Sequence, residues 1–347
     1  MIKKAFLVVL WGLVILGLTG QKSWGLSSYE QSLIQSVEHA FSKEKEIIST
    51  DTLRHPVCAT PLMMEIMLNW DKISSEAQKI LNPYTERPDF SPHTEYTFDS
   101  PSGHFKIHYT ITGEAAVYRS DIDENQDGIP DYVNQCAVIL DHVWSKEIDS
   151  LGYDTPPSDA VHPPEMDNGG DGKYDVYLDN LHPDFFGASY PEYQVKPGIP
   201  IYTSYLMLRN DYSFWVEEHP LYKNVYEPMK VTAAHEFFHA IHFGYDATEV
   251  EVDPDSFYKP YWMEISAVWM EDMVYDNIND YLGYLPHFYQ EPWLSLRTFR
   301  SPVDYHPYAS CVWAFFLQEK FGRDVIKKIW EKCAQVPGDN ALQATDE

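Results

Sequence analysis

Apolar and polar residues follow patterns that place the predicted strands before a helix at residues 231–241 and further helices after it. Residues 105–111 alternate in the manner of a half-buried strand, and residues 175–178 and 201–208 are strand-like as well. Residues 231–241 are apolar on nearly every side, which is typical of a buried helix, and a second apolar helical run covers residues 262–272. This order predicts an α+β fold, with a mixed sheet on one side of a cleft and a helical part on the other.

The first residues have the pattern of an export signal. Lys3 and Lys4 precede an uncharged apolar stretch, residues 5–18, and we expect cleavage between about residues 20 and 25. The stretch is shorter than the roughly 20 residues that span a membrane, so no stable membrane insertion is expected after cleavage. The mature protein is expected to be secreted or to lie at the cell surface or in the periplasm.

The remainder divides into two parts. Residues 26–95 are mostly helical in pattern, with helices expected at 31–41 and 61–81, and form an N-terminal lead or a pro-segment. Residues 96–347 form the second part, with further helices expected at 133–148, 311–321 and 324–333. Within its sheet, the strand at 202–208 is expected to be the edge that pairs with an extended substrate.

The buried helix carries the residues of a zinc site. His235 and His239 are four residues apart, so both imidazoles face the same side of a helix and can bind one tetrahedral Zn²⁺. Glu236 lies about 100° round the helix from His235, close enough to act as a general base without being a ligand. Zinc lowers the pKa of a bound water to about 7, so the implied reaction is hydrolysis of an amide.

A catalytic zinc site needs a third protein ligand, and Glu264 at the start of the second helix is the candidate. Glu271 shares its face and suits a hydrogen-bond acceptor for a ligand histidine, although an ordinary solvated carboxylate is the interpretation we favour. His242 is interpreted as a structural histidine. Tyr308, preferred to His306, is the candidate donor to the oxyanion, and aromatic packing is the alternative.

The helix pair with His235, Glu236, His239 and Glu264 resembles the gluzincin class of zinc metallopeptidases. More narrowly, residues 104–331 resemble secreted bacterial metallopeptidases of poorly defined substrate, through segments 102–109, 127–132 and 169–177 and the zinc helices. The resemblance implies a zincin-like fold with the zinc cleft between its sheet and its helical subdomain, the same three ligands, and Glu236 as catalytic base. Val268 stands where thermolysin-like members carry an acidic residue. Related chains are usually longer, so truncation at the C-terminus is one interpretation of the end at Glu347.

A second metal is expected in an acidic loop. Oxygen-bearing side chains and one backbone carbonyl alternate there with the spacing of a calcium loop, and Gly128 allows its sharp turn. The expected calcium ligands are Asp123, Asn125, Asp127, Ile129 and Asp131. Asn134 replaces the bidentate glutamate of a full EF-hand, so a short loop of the thrombospondin type-3 kind is the closer likeness. Residues 167–179 are a further acidic stretch, interpreted as a tight turn entering a strand.

The four cysteines favour two disulfides in an exported chain, Cys58 with Cys136 and Cys311 with Cys333. An alternative for Cys58 is a latency thiolate that caps the zinc from within a pro-segment.

Composition narrows the partners and leaves two functions. The formal net charge of -28 excludes nucleic acid and anionic lipid as expected partners. The function we expect is a secreted, calcium-supported zinc endopeptidase that acts on protein or peptide substrates. The alternative is a non-catalytic, calcium-stabilised surface or adhesion module with a structural zinc site.

Overall fold

The computed structural model describes residues 26–41, 57–218, 221–249, 260–300, 304–338 and 341–346. The expected signal peptide, residues 1–25, lies outside these ranges. The helices are α1 (Ser28–Ala40), α2 (Thr60–Asn69), α3 (Ser75–Leu81), α4 (Asp131–Trp144), α5 (Ser213–Glu218), α6 (Tyr226–Tyr245), α7 (Tyr261–Tyr275), α8 (Leu285–Gln290), α9 (His306–Ala309), α10 (Val312–Phe321), α11 (Val325–Cys333) and α12 (Ala341–Asp346). The strands are β1 (Val57–Cys58), β2 (Tyr96–Asp99), β3 (Phe105–Tyr109), β4 (Tyr174–Asp179), β5 (Phe185–Lys196) and β6 (Ile199–Arg209).

The six strands form one mixed sheet in the order β1-β5-β6-β4-β3-β2. Strand β4 pairs in parallel with both β3 and β6. Strand β2 pairs antiparallel with β3, and β5 pairs antiparallel with β6. Strand β1 adds to β5 in parallel. A mixed sheet surrounded by helices agrees with the predicted α+β class.

Both faces of the sheet are buried, because alternate side chains of the central strands enter two different hydrophobic clusters. Val176 and Leu206 join the cluster formed with α4, α6 and α7. Their neighbours Tyr177 and Tyr205 join the cluster formed with α1, α2 and α3. The N-terminal helices therefore cover one face of the sheet, and the helices with the predicted metal ligands cover the other.

Two details of the sequence prediction are corrected. The helix expected at residues 61–81 is divided into α2 and α3, because the Ser74 side chain accepts a hydrogen bond from the Ala77 N–H and begins a new helix. The strand expected to be the substrate edge, within β6, lies inside the sheet with β4 and β5 on its two sides. Strand β5, which the sequence pattern did not predict, lies between β6 and the short strand β1 at that end of the sheet.

The predicted disulfides are wrong, since all four cysteines are free and buried. Cys58 and Cys311 belong to the hydrophobic cluster on the α1–α3 side of the sheet. Their predicted partners, Cys136 and Cys333, belong to the cluster on the other side. The two cysteines of each predicted pair therefore lie in different hydrophobic clusters.

Among the described residues, no helix is long and apolar enough to cross a membrane.

One buried cation ties the segment after α3 to the sheet. The Arg87 guanidinium lies 2.8 Å from both Asp159 and Glu192 and also contacts Asp175 at the start of β4. Only 5% of the Arg87 side chain is exposed. Buried carboxylates that lose such a partner are left as uncompensated charges.

We therefore expect Arg87→Met to lower the free energy of unfolding by about 3–5 kcal/mol, the usual cost of breaking a buried ion pair. Arg300→Met is the matched control, because Arg300 pairs with Asp304 and Glu291 while 52% of its side chain is exposed. It should cost less than about 1 kcal/mol. Urea denaturation measures both, and equal losses would contradict a special role for Arg87.

Candidate metal centre

The two histidines of α6 and the glutamate of α7 meet in a buried space between the two helices. His235 Nε2 and His239 Nε2 lie 3.0 Å apart, as expected for residues one turn apart on one helix face. Glu264 Oε2 is 3.2 Å from His235 Nε2, and its Oε1 is 3.3 Å from His239 Nε2. The three predicted zinc ligands are therefore brought together, and all three are buried.

Cys58 completes this group as a fourth side chain with a metal-binding atom. The ligand atoms of Cys58, His235, His239 and Glu264 all lie within 4.8 Å of one another. The disulfide prediction misassigned Cys58, whereas the alternative of a thiol at the metal agrees with this position. We use the name metal cluster for these four residues.

The metal cluster fits a bound cation. Glu264 is fully buried, and among the described residues neither of its oxygens has a hydrogen-bond donor. Burial raises the pKa of Glu264, but the adjacent imidazoles of His239 and His235 outweigh burial and hold this pKa at about 2. A buried, ionised carboxylate without a donor needs a positive partner. Two imidazoles, a carboxylate and a thiol form a donor set that zinc uses.

A second layer of side chains orients the two imidazoles. Glu271 Oε1 lies 2.7 Å from His235 Nδ1, and His242 Nδ1 lies 3.3 Å from His239 Nδ1. Burial lowers the pKa of His242, so its ring is neutral and can accept a hydrogen bond from the ring of His239. Burial also raises the pKa of Glu271 to about 8, an effect that the contact with His235 opposes. Acceptors of this kind fix which nitrogen of a ligand histidine faces the metal.

This layer settles two predictions. The interpretation of Glu271 as a solvated carboxylate is wrong, because α10 and the α9 segment pack against α7 and leave Glu271 only 5% exposed. His242 is confirmed as a structural histidine, since it lies outside the metal cluster and stacks on Trp330 with ring centroids 4.0 Å apart.

Glu236 lies beside the metal cluster without being part of it. Its Oε2 accepts hydrogen bonds from the Cys58 thiol at 3.2 Å, from Thr60 Oγ1 at 3.0 Å and from Ser189 Oγ at 3.3 Å. Strand β5 comes this close to α6 because residue 187 is glycine: a Cβ there would lie 2.7 Å from Thr232 Cγ2 and 3.0 Å from Glu236 Cγ. The position of Glu236 is the one that the sequence predicts for a base.

Tyr308 also reaches this space, from α9. Its hydroxyl accepts a hydrogen bond from the Cys58 backbone N–H at 3.1 Å, and its ring stacks on His235 with centroids 6.0 Å apart. His306 faces away, with Nε2 2.9 Å from the Ser295 carbonyl oxygen. Of the two candidates for the oxyanion donor, Tyr308 is the one at the metal cluster.

The predicted calcium loop forms a tight turn. Gln126 and Gly128 have left-handed backbone conformations, and the Asp123 and Asp127 carboxylates accept hydrogen bonds from N–H groups of the loop itself. In the described part of the chain, two groups of potential metal ligands converge, the metal cluster and the set His39, His182 and Asp184. Neither includes Asp123, Asn125, Asp127, Ile129 or Asp131. Calcium therefore stays a prediction without support from the structure.

The other acidic stretch is a turn entering β4, as interpreted from its sequence. Lys106 Nζ lies 2.8 Å from the Asp171 carboxylate, and Lys173 Nζ lies 2.7 Å from it. Burial raises the pKa of Asp171, but these lysines outweigh burial and lower this pKa. Two ammonium groups thus stand where a cation would be needed.

No protein-family model, no curated protein and no solved structure matches this chain. The metal cluster and its neighbours are therefore the features that bear on function.

Removing one ligand should release the metal. We expect Glu264→Ala to lose stoichiometric zinc after dialysis, because the site then lacks its only carboxylate ligand. Glu271→Gln keeps all four ligands but alters the partner of His235, so its zinc affinity should fall by about 10–100-fold.

Glu227→Gln is the control, since Glu227 is a buried carboxylate on the same helix as His235 but lies outside the metal cluster. Metal analysis and competition with a chelator measure all three variants. Full zinc retention by Glu264→Ala would remove Glu264 from the ligand set.

Proposed function

We propose that this protein is a zinc-dependent endopeptidase, with His235, His239 and Glu264 as ligands and Glu236 as general base. The observation that carries the proposal is the position of Glu236. Its buried carboxylate lies against the metal cluster, yet it is not one of the ligands. A buried carboxylate is costly, and one that neither binds the metal nor hydrogen-bonds a ligand histidine, as Glu271 does, is not needed merely to hold the metal.

Zinc bound in this cluster would supply Lewis-acid activation of a water molecule and of a substrate carbonyl. The remaining chemistry belongs to the chain. Glu236 Oε2 is the atom that would take the proton of the attacking water and return it to the leaving amine. The Tyr308 hydroxyl would donate a hydrogen bond to the charge that develops on the carbonyl oxygen.

The remaining parts of the proposal come from the sequence. The apolar N-terminus supports export, and the gluzincin resemblance supports a zincin-like fold and protein or peptide substrates. Strand β5 supports the choice of an extended peptide, because it passes Glu236 at Gly187 and Ser189 and lies on the outer side of β6.

The structure also offers an observation in favour of the alternative function. Structural zinc sites have four protein ligands, whereas catalytic sites keep one position open. With Cys58, the metal cluster has four. A non-catalytic module with a structural zinc site therefore remains the second candidate, and the experiment has to separate the two.

Cleavage of casein by zinc-loaded protein separates them, if measured in a Cys58→Ala background that leaves one position of the cluster open. We expect the Cys58→Ala protein to cleave casein. The double variant Cys58→Ala/Glu236→Gln should cleave it about 10²- to 10⁴-fold more slowly, the usual contribution of a general base. Cys58→Ala/Glu227→Gln, with the other α6 carboxylate changed, should match the parent. Zinc content and thermal unfolding verify that each protein is loaded and folded.

Equal cleavage by the Glu236 variant would point to a contaminating protease and contradict the proposal. Absence of cleavage from folded, zinc-loaded Cys58→Ala protein would favour the structural zinc site.

A further inference from the structure

The segment from Val57 to Thr60 lies along β5 where that strand passes the metal cluster. The Val57 N–H donates to the Asp184 carbonyl at 2.9 Å, and the Ala59 N–H donates to the Gly187 carbonyl at 3.0 Å. Further on, the Ser189 N–H donates to Thr60 Oγ1 at 2.7 Å. Backbone groups of β5 that an extended peptide would use are thus engaged by the chain itself.

Within this segment, Cys58 lies among the proposed metal ligands and contacts both the proposed base and the tyrosine. Its thiol lies in the metal cluster and donates to Glu236, and its backbone N–H donates to the Tyr308 hydroxyl. The Thr60 N–H donates to Cys58 Sγ at 3.2 Å, so the sulfur is held from its own chain as well. Cys58 alone therefore fills the space next to the proposed ligands, the base and the tyrosine.

Little space remains for a substrate. The cavity lined by Cys58, Glu236 and Tyr308, among others, has a volume of about 20 Å³. That is room for about one water molecule, and a peptide carbonyl with its flanking residues needs far more. Access for substrate requires the segment to move.

Charge favours the thiolate as a ligand. The Cys58 sulfur and the Glu264 carboxylate lie in the same buried cluster. One thiolate and this carboxylate together neutralise the two positive charges of a divalent cation. Cation binding then releases the S–H proton to solvent, as metal binding to cysteine generally does.

We infer that Cys58 is a fourth, inhibitory metal ligand, and that the N-terminal segment which carries it keeps the peptidase latent. Latency rests on the proposed peptidase function, whereas ligation of the metal by Cys58 does not. Displacement of the Cys58 sulfur, by removal of the segment or by a reagent that captures the thiol, opens the metal and frees Glu236 and Tyr308 together.

Cobalt(II) in place of zinc tests the ligation without any reference to activity. The full-length protein should show the near-ultraviolet charge-transfer absorption of a thiolate bound to cobalt, and Cys58→Ser should lose it. Cys136→Ser is the matched control, because Cys136 is an equally buried thiol outside the metal cluster, and it should keep the band. If the unmodified protein lacks the band, the inference is overturned, whatever the variants do.

Casein cleavage then tests the latency. We expect zinc-loaded Cys58→Ala protein to cleave at least about tenfold faster than unmodified protein, while Cys136→Ser stays as slow as the unmodified protein. Equal, appreciable cleavage by unmodified and Cys58→Ala proteins would overturn the latency and leave the proposed function standing. A cobalt–thiolate band in protein that cleaves casein neither with nor without Cys58 would overturn both latency and peptidase function, and would identify a structural site.

Discussion

Burial of ionisable side chains between α6 and α7 is the constraint on which this structure depends. Glu236, Glu264 and Glu271 are all buried within one helix pair, together with His235 and His239. Acidic groups out of water repel one another and lose hydration, so their presence requires a compensating charge. The imidazoles supply part of it, and a cation bound in the metal cluster would supply the rest. The charges that favour a bound metal are also those on which the proposed reaction depends.

The part of this arrangement that depends on local spacing was predictable from the sequence. His235 and His239 share a face because they are four residues apart, and Glu264 was found because an apolar helix needs a reason to carry an acid near its start. Glu271 was misjudged, because helical spacing gives the face of a residue and not what packs over it. His306 and Tyr308 could not be separated until the direction of α9 was known.

The part that depends on long-range contact was less predictable, and the sequence offered Cys58 at the metal only as an alternative to a disulfide. Cys58 precedes Glu236 by 178 residues and meets it only because β1 joins the sheet beside β5. Strand β5 itself was missed, since Gly187 and Pro191 interrupt any regular alternation in it. Yet the glycine that hides this strand in the sequence is the residue that lets it approach α6. Sequence patterns predict a strand poorly where a glycine that allows close packing on a helix also breaks the alternation.

The position of β1 also affects how easily a free peptide could reach the site. Because Val57 and Cys58 belong to the same chain as β5, their pairing is intramolecular and does not weaken when the protein is diluted. A tethered segment acts at an effective concentration on the order of millimolar, so a free peptide must compete against that value before it meets the metal. Selectivity among substrates would then depend first on whether a peptide can displace β1, and only afterwards on a pocket for one of its side chains.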